Sequence, residues 1–396
     1  MMPALAPEEE AHSRAVGALI RERIRAAGGW IPFEQYMDLA LYAPGLGYYS
    51  AGSAKLGPGG DFVTAPEISD LFSRCLARQC AAALAGGGEI LELGAGTGRM
   101  AAVILESLDA AEALPQRYAI LEVSADLAQR QRQRLGKLPP HIRDRVVWLE
   151  RLPERPIRGV ILANEVLDAL PCRRFVTVAG GVRELGVAIE PDTASGGDSA
   201  CADGRLVERQ AAADPSLELA CAALLGGLPE PLPDGYSSEI CLAVDPWIAG
   251  VADCLERGLM LLFDYGLPRT HYYHPQRTAG TLRCHFKQRV HDDPYVNVGV
   301  QDITAWVDFT RVAEAAVASG LDVRGFATQA AFLLATGIER LVAEATDPVR
   351  RARLAGEARR LLLPGEMGEA FKAMALTRDL DEPLEGFALQ DLRHSL

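Results

Sequence analysis

The segment that most limits what this chain can fold into is Ile90-Leu91-Glu92-Leu93-Gly94-Ala95-Gly96-Thr97-Gly98, an apolar run that opens into three glycines spaced two apart. The run reads as a buried strand, and the pattern after it, through Leu108, reads as a helix. In a strand-to-helix turn, glycines let the backbone bend tightly and come close to a ligand. The helix start adds unpaired N–H donors and the positive end of a dipole. That suits a carboxylate as well as a phosphate. A dinucleotide fingerprint needs G-x-G-x-x-G, and Arg99 stands where the third glycine belongs. No G-x-x-x-x-G-K-[ST] sequence is present, which removes a P-loop. A plain structural turn is the alternative reading.

The surrounding periodicity predicts an open α/β sheet. Strands over 89–93, 117–123, 146–149 and 159–163 alternate with helices through 108 and over 125–135, a rhythm that implies parallel strands. Ahead of them, helices are predicted over 13–27 and 33–41. A Gly-, Pro- and Tyr-rich loop over 42–66 and a helix over 67–84 follow. After the fourth strand the rhythm breaks: 173–178 and 182–189 flank Ala179-Gly180-Gly181, a hairpin signal, and 192–204 reads as a polar loop. The fifth strand is expected at 259–263. It is followed by an irregular stretch to 308, a helix over 309–319, a strand over 321–327, two helices filling 329–362 and a last strand at 369–378. The expected division is a helical N-terminal region and lid loop over 1–84, a Rossmann-like domain over 85–171 and 258–396, and an α+β insertion over 172–257.

At 396 residues the chain has room for one large domain with insertions or two ordinary ones. Its eight cysteines contain no C-x-x-C pair, so neither a zinc cluster nor a disulfide framework is expected, and no metal is assigned. The net charge of −13 opposes the phosphate-neutralising surface that nonspecific nucleic-acid binding needs. No apolar run approaches the roughly 20 residues that span a bilayer. The acidic N-terminus, with Glu8-Glu9-Glu10, resembles neither a secretory signal nor an Arg-rich transit peptide, so a bacterial-type cytoplasm is expected.

The spacing of Gly94, Gly96 and Gly98 resembles motif I of class I methyltransferases, which use S-adenosylmethionine (SAM). That resemblance implies a cofactor site at Glu92, Gly94, Ala95, Gly96, Thr97 and Gly98. It places the ribose at Glu122, where an acid at a strand end can accept from both hydroxyls, and the adenine near Arg151 and Leu152. Methyl transfer from a sulfonium needs positioning, electrostatic support and, for some acceptors, removal of a proton. The fourth strand runs into Asn164-Glu165-Val166-Leu167-Asp168-Ala169-Leu170-Pro171, at the edge where open sheets bind ligands. If a helix begins there, Glu165 and Asp168 share a face and can grip a guanidinium, or they are ordinary first-turn acids.

Gly60-Asp61-Phe62-Val63-Thr64-Ala65-Pro66-Glu67-Ile68-Ser69, the 164–171 segment, Phe263-Asp264-Tyr265-Gly266, and Gln301-Asp302-Ile303-Thr304 with Val307-Asp308-Phe309 together resemble the MidA-like family. This family includes a mitochondrial complex I assembly methyltransferase. The match runs in order from about residue 36 to the end and departs at Ala65 and Asn164, where relatives carry other residues. The resemblance implies SAM-dependent N-methylation of an arginine on a NADH dehydrogenase subunit, and a mitochondrial matrix location for eukaryotic relatives. A homodimer is possible. It also implies catalytic roles for Glu165, Asp168, Asp264 and His291, and cofactor contacts from Asn164 and from a lid carrying Asp61, Thr64, Pro66 and Glu67. Tyr48, Tyr49 and Tyr265 offer cation–π faces or simple packing, and His291 could equally be a surface or capping residue. Two other functions fit the same motifs: methylation of a small molecule, or an assembly chaperone that holds SAM without catalysis and docks through the insertion and the 329–362 helices.

Overall fold

The computed structural model describes residues 3–51, 64–84, 87–191 and 204–396. The chain divides into two compact units, one of residues 54–168, 244–268 and 307–396, the other of 1–53, 169–243 and 269–306.

The larger unit is built on seven main strands: β1 (Glu89–Leu93), β2 (Arg117–Leu121), β3 (Val146–Leu149), β4 (Ile157–Asn164), β5 (Leu255–Leu267), β6 (Asp322–Thr328) and β7 (Phe371–Arg378). Their order is β6-β7-β5-β4-β1-β2-β3, and the short strand Val307–Asp308 pairs with the end of β5. β1 to β5 run parallel, while β7 lies antiparallel between β5 and β6. The chain moves outward from β1 to β3 and then returns to place β4 on the other side of β1. The strand order therefore reverses at β1 and β4, the place where open α/β sheets bind ligands beyond their carboxyl ends.

Central strands covered on both faces read as unbroken apolar runs. Val160, Ile161, Leu162 and Ala163 of β4, and Leu259 to Phe263 of β5, are all buried. The helices that cover them include α1 (Ala65–Ile68), α2 (Asp70–Ala83), α3 (Arg99–Ala110) and α4 (Ala125–Leu135). The single helix expected over 67–84 is two, because Ser69 adopts an extended backbone and its Oγ accepts from Leu71 N to start α2. Three helices, not two, occupy 329–362, since Gly337 takes a left-handed conformation between Gln329–Ala335 and Ile338–Ala343, before Pro348–Leu362.

The smaller unit is an antiparallel sheet with the order Trp30–Pro32, Gly181–Glu190, Arg173–Val178, Ser237–Ile240, with Arg205–Ala212 added to the long second strand. The expected hairpin is there, with Val178 opposite Gly181. The N-terminal helix starts at Pro7, ahead of the expected residue 13. A proline in the first turn, three following acids and a 2.7 Å bond from Ala6 N to Glu9 Oε2 extend it. The sheet carries a buried ion pair in which Arg173 grips Glu184 at 2.5 and 2.7 Å and also reaches Asp214 at 2.7 Å.

The compact units differ from the expected division. Residues 269–306, assigned to the Rossmann-like domain as an irregular stretch, form a three-stranded sheet (Arg289–His291, Arg283–Phe286, Asp302–Thr304) within the smaller unit. Residues 1–53 belong with the 169–243 segment, because Trp30–Pro32 pairs with Gly181–Glu190. The helix Val244–Ala252 belongs instead to the larger unit.

Candidate functional site

The site is assembled where β1, β2 and β4 end. β1 pairs with both neighbours, Leu93 lying opposite Leu121 and Ala163. Gly94 N then donates to Leu121 O at 3.0 Å, which ties the glycine turn to the end of β2. Gly94, Gly96 and Gly98 all have positive φ, conformations that L side chains resist. Gly98 is the residue that leads into α3, and a Cβ there would lie 3.2 Å from Gln131 Cα on α4. Ala95 is buried, and its carbonyl accepts from Gly98 N at 2.8 Å. Among the described residues, no side-chain hydrogen bond caps the N-terminus of α3.

Glu92 is almost fully buried on β1. Its Oε2 accepts from Tyr118 Oη at 2.8 Å, and its Oε1 has no hydrogen-bond partner. Burial pushes its carboxyl up to about 7, with the charge of Glu122 adding and the tyrosine bond opposing. Glu122 follows β2. Its Oε1 accepts from Ser124 N and its Oε2 from Gln131 Nε2, both at 2.9 Å. Burial raises its carboxyl too, and those donors hold it down. Arg151 is exposed, and its guanidinium pairs with Glu154 at 2.5 Å. Leu152 lies half-buried, 3.7 Å from where a Cβ on Gly250 would be.

The lid segment is described only from Thr64 onward, and Asp61 lies outside the described residues. Thr64 leads into α1, and Pro66 is buried. Glu67 is bound to the glycine turn: its carboxylate accepts from Thr97 Oγ1, and its carbonyl accepts from Arg99 Nη1 at 2.7 Å. Arg99 also reaches Asp70 at 2.9 Å. Thr97 and Arg99 thus fasten α1 and α2 to the start of α3.

After β4 no helix begins over Glu165 to Asp168, and the backbone turns instead. Glu165 has φ +54, a left-handed conformation uncommon for a side-chain-bearing residue and enriched at functional positions. The N–H groups of Leu167 and Asp168 are taken by Asp264 Oδ2 at 2.9 and 3.2 Å, and Asp264 Oδ1 accepts from Tyr265 N at 2.9 Å. Asp264 is thereby engaged in shaping the turn. Burial raises its carboxyl well above the usual range, and the charges of Asp168 and Glu165 add to the effect. Asn164 Nδ2 donates to Glu165 Oε1 at 3.1 Å, while Asn164 Oδ1 is buried without a hydrogen-bond partner.

The remaining expected residues have local partners of their own. His291 belongs to the smaller unit, on the strand opposite Cys284, and its Nδ1 accepts from Asp293 N at 3.3 Å. Tyr48 is buried edge-on to Tyr49. Tyr49 stacks on Tyr42 and donates to Asp302 at 3.0 Å, so both are packing residues of that unit. Tyr265 meets the edge of Phe371.

Sequence reasoning missed Gln131. The only signal was a polar residue in the buried stripe of α4 between Leu127 and Leu135. Taken together, the opened turn, the helix start, Glu122 and the unpartnered oxygens of Glu92 and Asn164 fit a ligand carrying hydroxyls, a carboxylate and an ammonium. SAM has all of these groups.

Comparison with known proteins agrees. Residues 75–327 match the family described as "Putative S-adenosyl-L-methionine-dependent methyltransferase". A Burkholderia thailandensis protein solved bound to S-adenosyl-homocysteine is 41% identical and superposes with a TM-score of 0.91, with all of both chains covered. A protein named protein arginine methyltransferase NDUFAF7 homolog, mitochondrial, from Drosophila melanogaster is 29% identical over 96% of this chain and 91% of its own length. The Danio rerio protein arginine methyltransferase NDUFAF7, mitochondrial, is 28% identical over 87% of this chain and 83% of its own. The chain belongs to this family of SAM-dependent methyltransferases and shares the mostly parallel α/β sheet of its structural relative.

Proposed function

We propose that this methyltransferase N-methylates an arginine of a protein partner, a subunit of NADH dehydrogenase, and so supports assembly of that complex. The observation that carries the reading is the turn after β4. There Glu165, Asp168 and Asp264 lie close enough for the first two to raise the third. Carboxylates crowded in this way favour an incoming cation, and a guanidinium matches two carboxylates through its planar fork of donors. The names of the curated relatives support arginine as the acceptor class.

In this reading the glycine turn and the α3 N-terminus hold the amino-acid end of SAM, and Glu122 takes the ribose hydroxyls. SAM supplies an electrophilic methyl on a sulfonium. Glu165 and Asp168 hold the guanidinium so that one nitrogen faces that methyl. As the new N–C bond forms, the methyl's C–S bond breaks with its electron pair kept on sulfur, which leaves neutral S-adenosylhomocysteine, and one of the two carboxylates receives the proton the nitrogen sheds. Asp264 acts on neither reactant and fixes the turn that aims Asp168. With α1 held against the glycine turn by Thr97 and Arg99, exclusion of water on that side strengthens these contacts.

The test is mass spectrometry of NADH dehydrogenase subunits from cells with this chain, without it, and with Asp168→Asn. One methylarginine present only with the unaltered chain is expected. An unchanged methylation pattern across the three would reject the arginine reading, while label from tritiated SAM in small molecules alone would give the acceptor to another class.

A further inference from the structure

We propose that Gln131 is a positioning residue of the cofactor site, the single side chain that locks the glycine turn, the acid after β2 and the third strand into one geometry. The inference rests on the reading of Glu122 as the ribose acceptor. Gln131 is fully buried on α4, where its neighbours along the same face are Leu127, Ala128 and Leu135. A buried primary amide is costly unless its polar atoms are bonded, and here both N–H donors and the oxygen have partners. Nε2 donates to Gly96 O and to Glu122 Oε2, both at 2.9 Å, and Oε1 accepts from Trp148 Nε1 at 3.0 Å.

Those three partners also fix which way the amide faces. Two acceptors, a carbonyl and a carboxylate, flank the nitrogen, and an indole donor faces the oxygen. The flipped amide would set oxygen against oxygen on one side and N–H against N–H on the other. Glu122 Oε2 is therefore held from one direction by Gln131 and, through Oε1, from another by Ser124 N. Its remaining lone pairs point where neither donor stands. The backbone at Gly96 is held by the same amide, and the aliphatic part of Gln131 fills the space beside Gly98 that a Cβ would otherwise claim. A bond to an ionised acceptor is stronger and shorter than one between neutral groups, so loss of this donor frees the carboxylate to rotate.

No other residue type meets these demands. Glutamate would place a second carboxylate against Glu122, asparagine would not reach both Gly96 and Trp148 from the same Cα, and methionine fills the volume but donates nothing. The signature of positioning is specific to the ribose. If Gln131 acts by aiming Glu122, its loss removes the advantage that the ribose hydroxyl gives. If it merely supports the fold, every ligand weakens alike.

The experiment is calorimetric titration of the full chain with S-adenosylhomocysteine and with its 2′-deoxy analogue, in the unaltered protein, Gln131→Met and Trp148→Phe. The unaltered protein should bind the ribose form more tightly. Gln131→Met should weaken that form by about ten- to a hundred-fold and bring the ratio of the two affinities close to one. Trp148→Phe leaves both Gln131 donors in place but releases the far side of the amide. It should shift the ratio in the same direction by less, and it serves as the readout if Gln131→Met does not fold. A Gln131→Met or Trp148→Phe protein that keeps the full preference for the ribose form overturns the inference while leaving the site intact. An unaltered protein that binds both ligands equally overturns it together with the ribose role of Glu122.

Discussion

Glu92 offers the sharpest quantitative test, because it is a buried acid held by one hydrogen bond. Its carboxyl is pushed up from 4.5 to about 7, chiefly by burial. At about 1.4 kcal/mol per unit the displacement corresponds to about 3 kcal/mol of folding free energy linked to its proton. The sign follows from the direction. A raised folded-state value contributes stability that is complete below about pH 4.5 and is lost as pH rises through about 7. Glu92→Gln removes that dependence. The amide oxygen still accepts from Tyr118, and the amide nitrogen takes the place of the oxygen that has no partner. An unsatisfied buried donor costs about 1–3 kcal/mol at every pH, so the absolute offset between the two proteins is not diagnostic. Its change with pH is. Calorimetric scans without ligand should show the variant gaining on the unaltered protein by about 3 kcal/mol between pH 4.5 and pH 8. For a unit of this size that is a relative shift in Tm of roughly 6–12 °C. Parallel Tm curves, constant within about 2 °C, would show that Glu92 titrates in the fold as it does in the unfolded chain and that the burial argument is wrong.

Gly98→Ala should cost about 1–2 kcal/mol from its left-handed φ alone, and its Cβ would crowd Gln131, so S-adenosylhomocysteine affinity measured by calorimetry should fall about tenfold or more. Unchanged affinity would remove the turn from the site. Asp264→Asn offers one acceptor oxygen where the turn after β4 and Tyr265 need two. Cofactor affinity should stay within about twofold while methyl transfer, followed with tritiated SAM, drops by about a hundredfold through misplacement of Asp168. Equal loss of both would mean that Asp264 supports the whole sheet edge. Arg173→Ala strands the Glu184 carboxylate, which is only 2% exposed, and should destabilise the smaller unit by about 3–5 kcal/mol in denaturant titration. A loss under about 1 kcal/mol would show that water reaches the pair.

The parallel strands were legible because burial on both faces writes itself as continuous apolar sequence, as in Val160 to Ala163 and Leu259 to Phe263. In the smaller unit the hairpin was legible too, through Ala179-Gly180-Gly181, but the other antiparallel strands were not. Among the described residues, Arg205–Ala212 pairs along one side only and exposes Arg205, Glu208, Arg209 and Gln210, so no apolar alternation marks it. Arg283–Phe286 is four residues long and lies in a stretch of turns. The unit boundaries were hidden for a different reason. Pairing of Trp30 with Ala188, and of Cys284 with Ile303, is a fact about residues far apart in the chain, and local periodicity carries no trace of it.

The same distinction separates acids that shape the site from acids available to act in it. Sequence position put Glu165, Asp168 and Asp264 at strand ends, and only if a helix began after β4 would the first two share a face. What decides otherwise is a contact across about a hundred residues, in which Asp264 captures the N–H groups of Leu167 and Asp168. Those donors are the ones a helix start would have left open, so the carboxylate of β5 substitutes for solvent and stops the backbone in a turn. Glu165 is left at positive φ, with its backbone N–H bonded to Phe263 O at 2.8 Å. An acid whose two oxygens accept three backbone donors has little capacity left for a substrate. Under the proposed arginine reading the chemistry of the turn falls to Glu165 and Asp168, and variants at Asp264 should resemble a misaimed Asp168 more than a missing base.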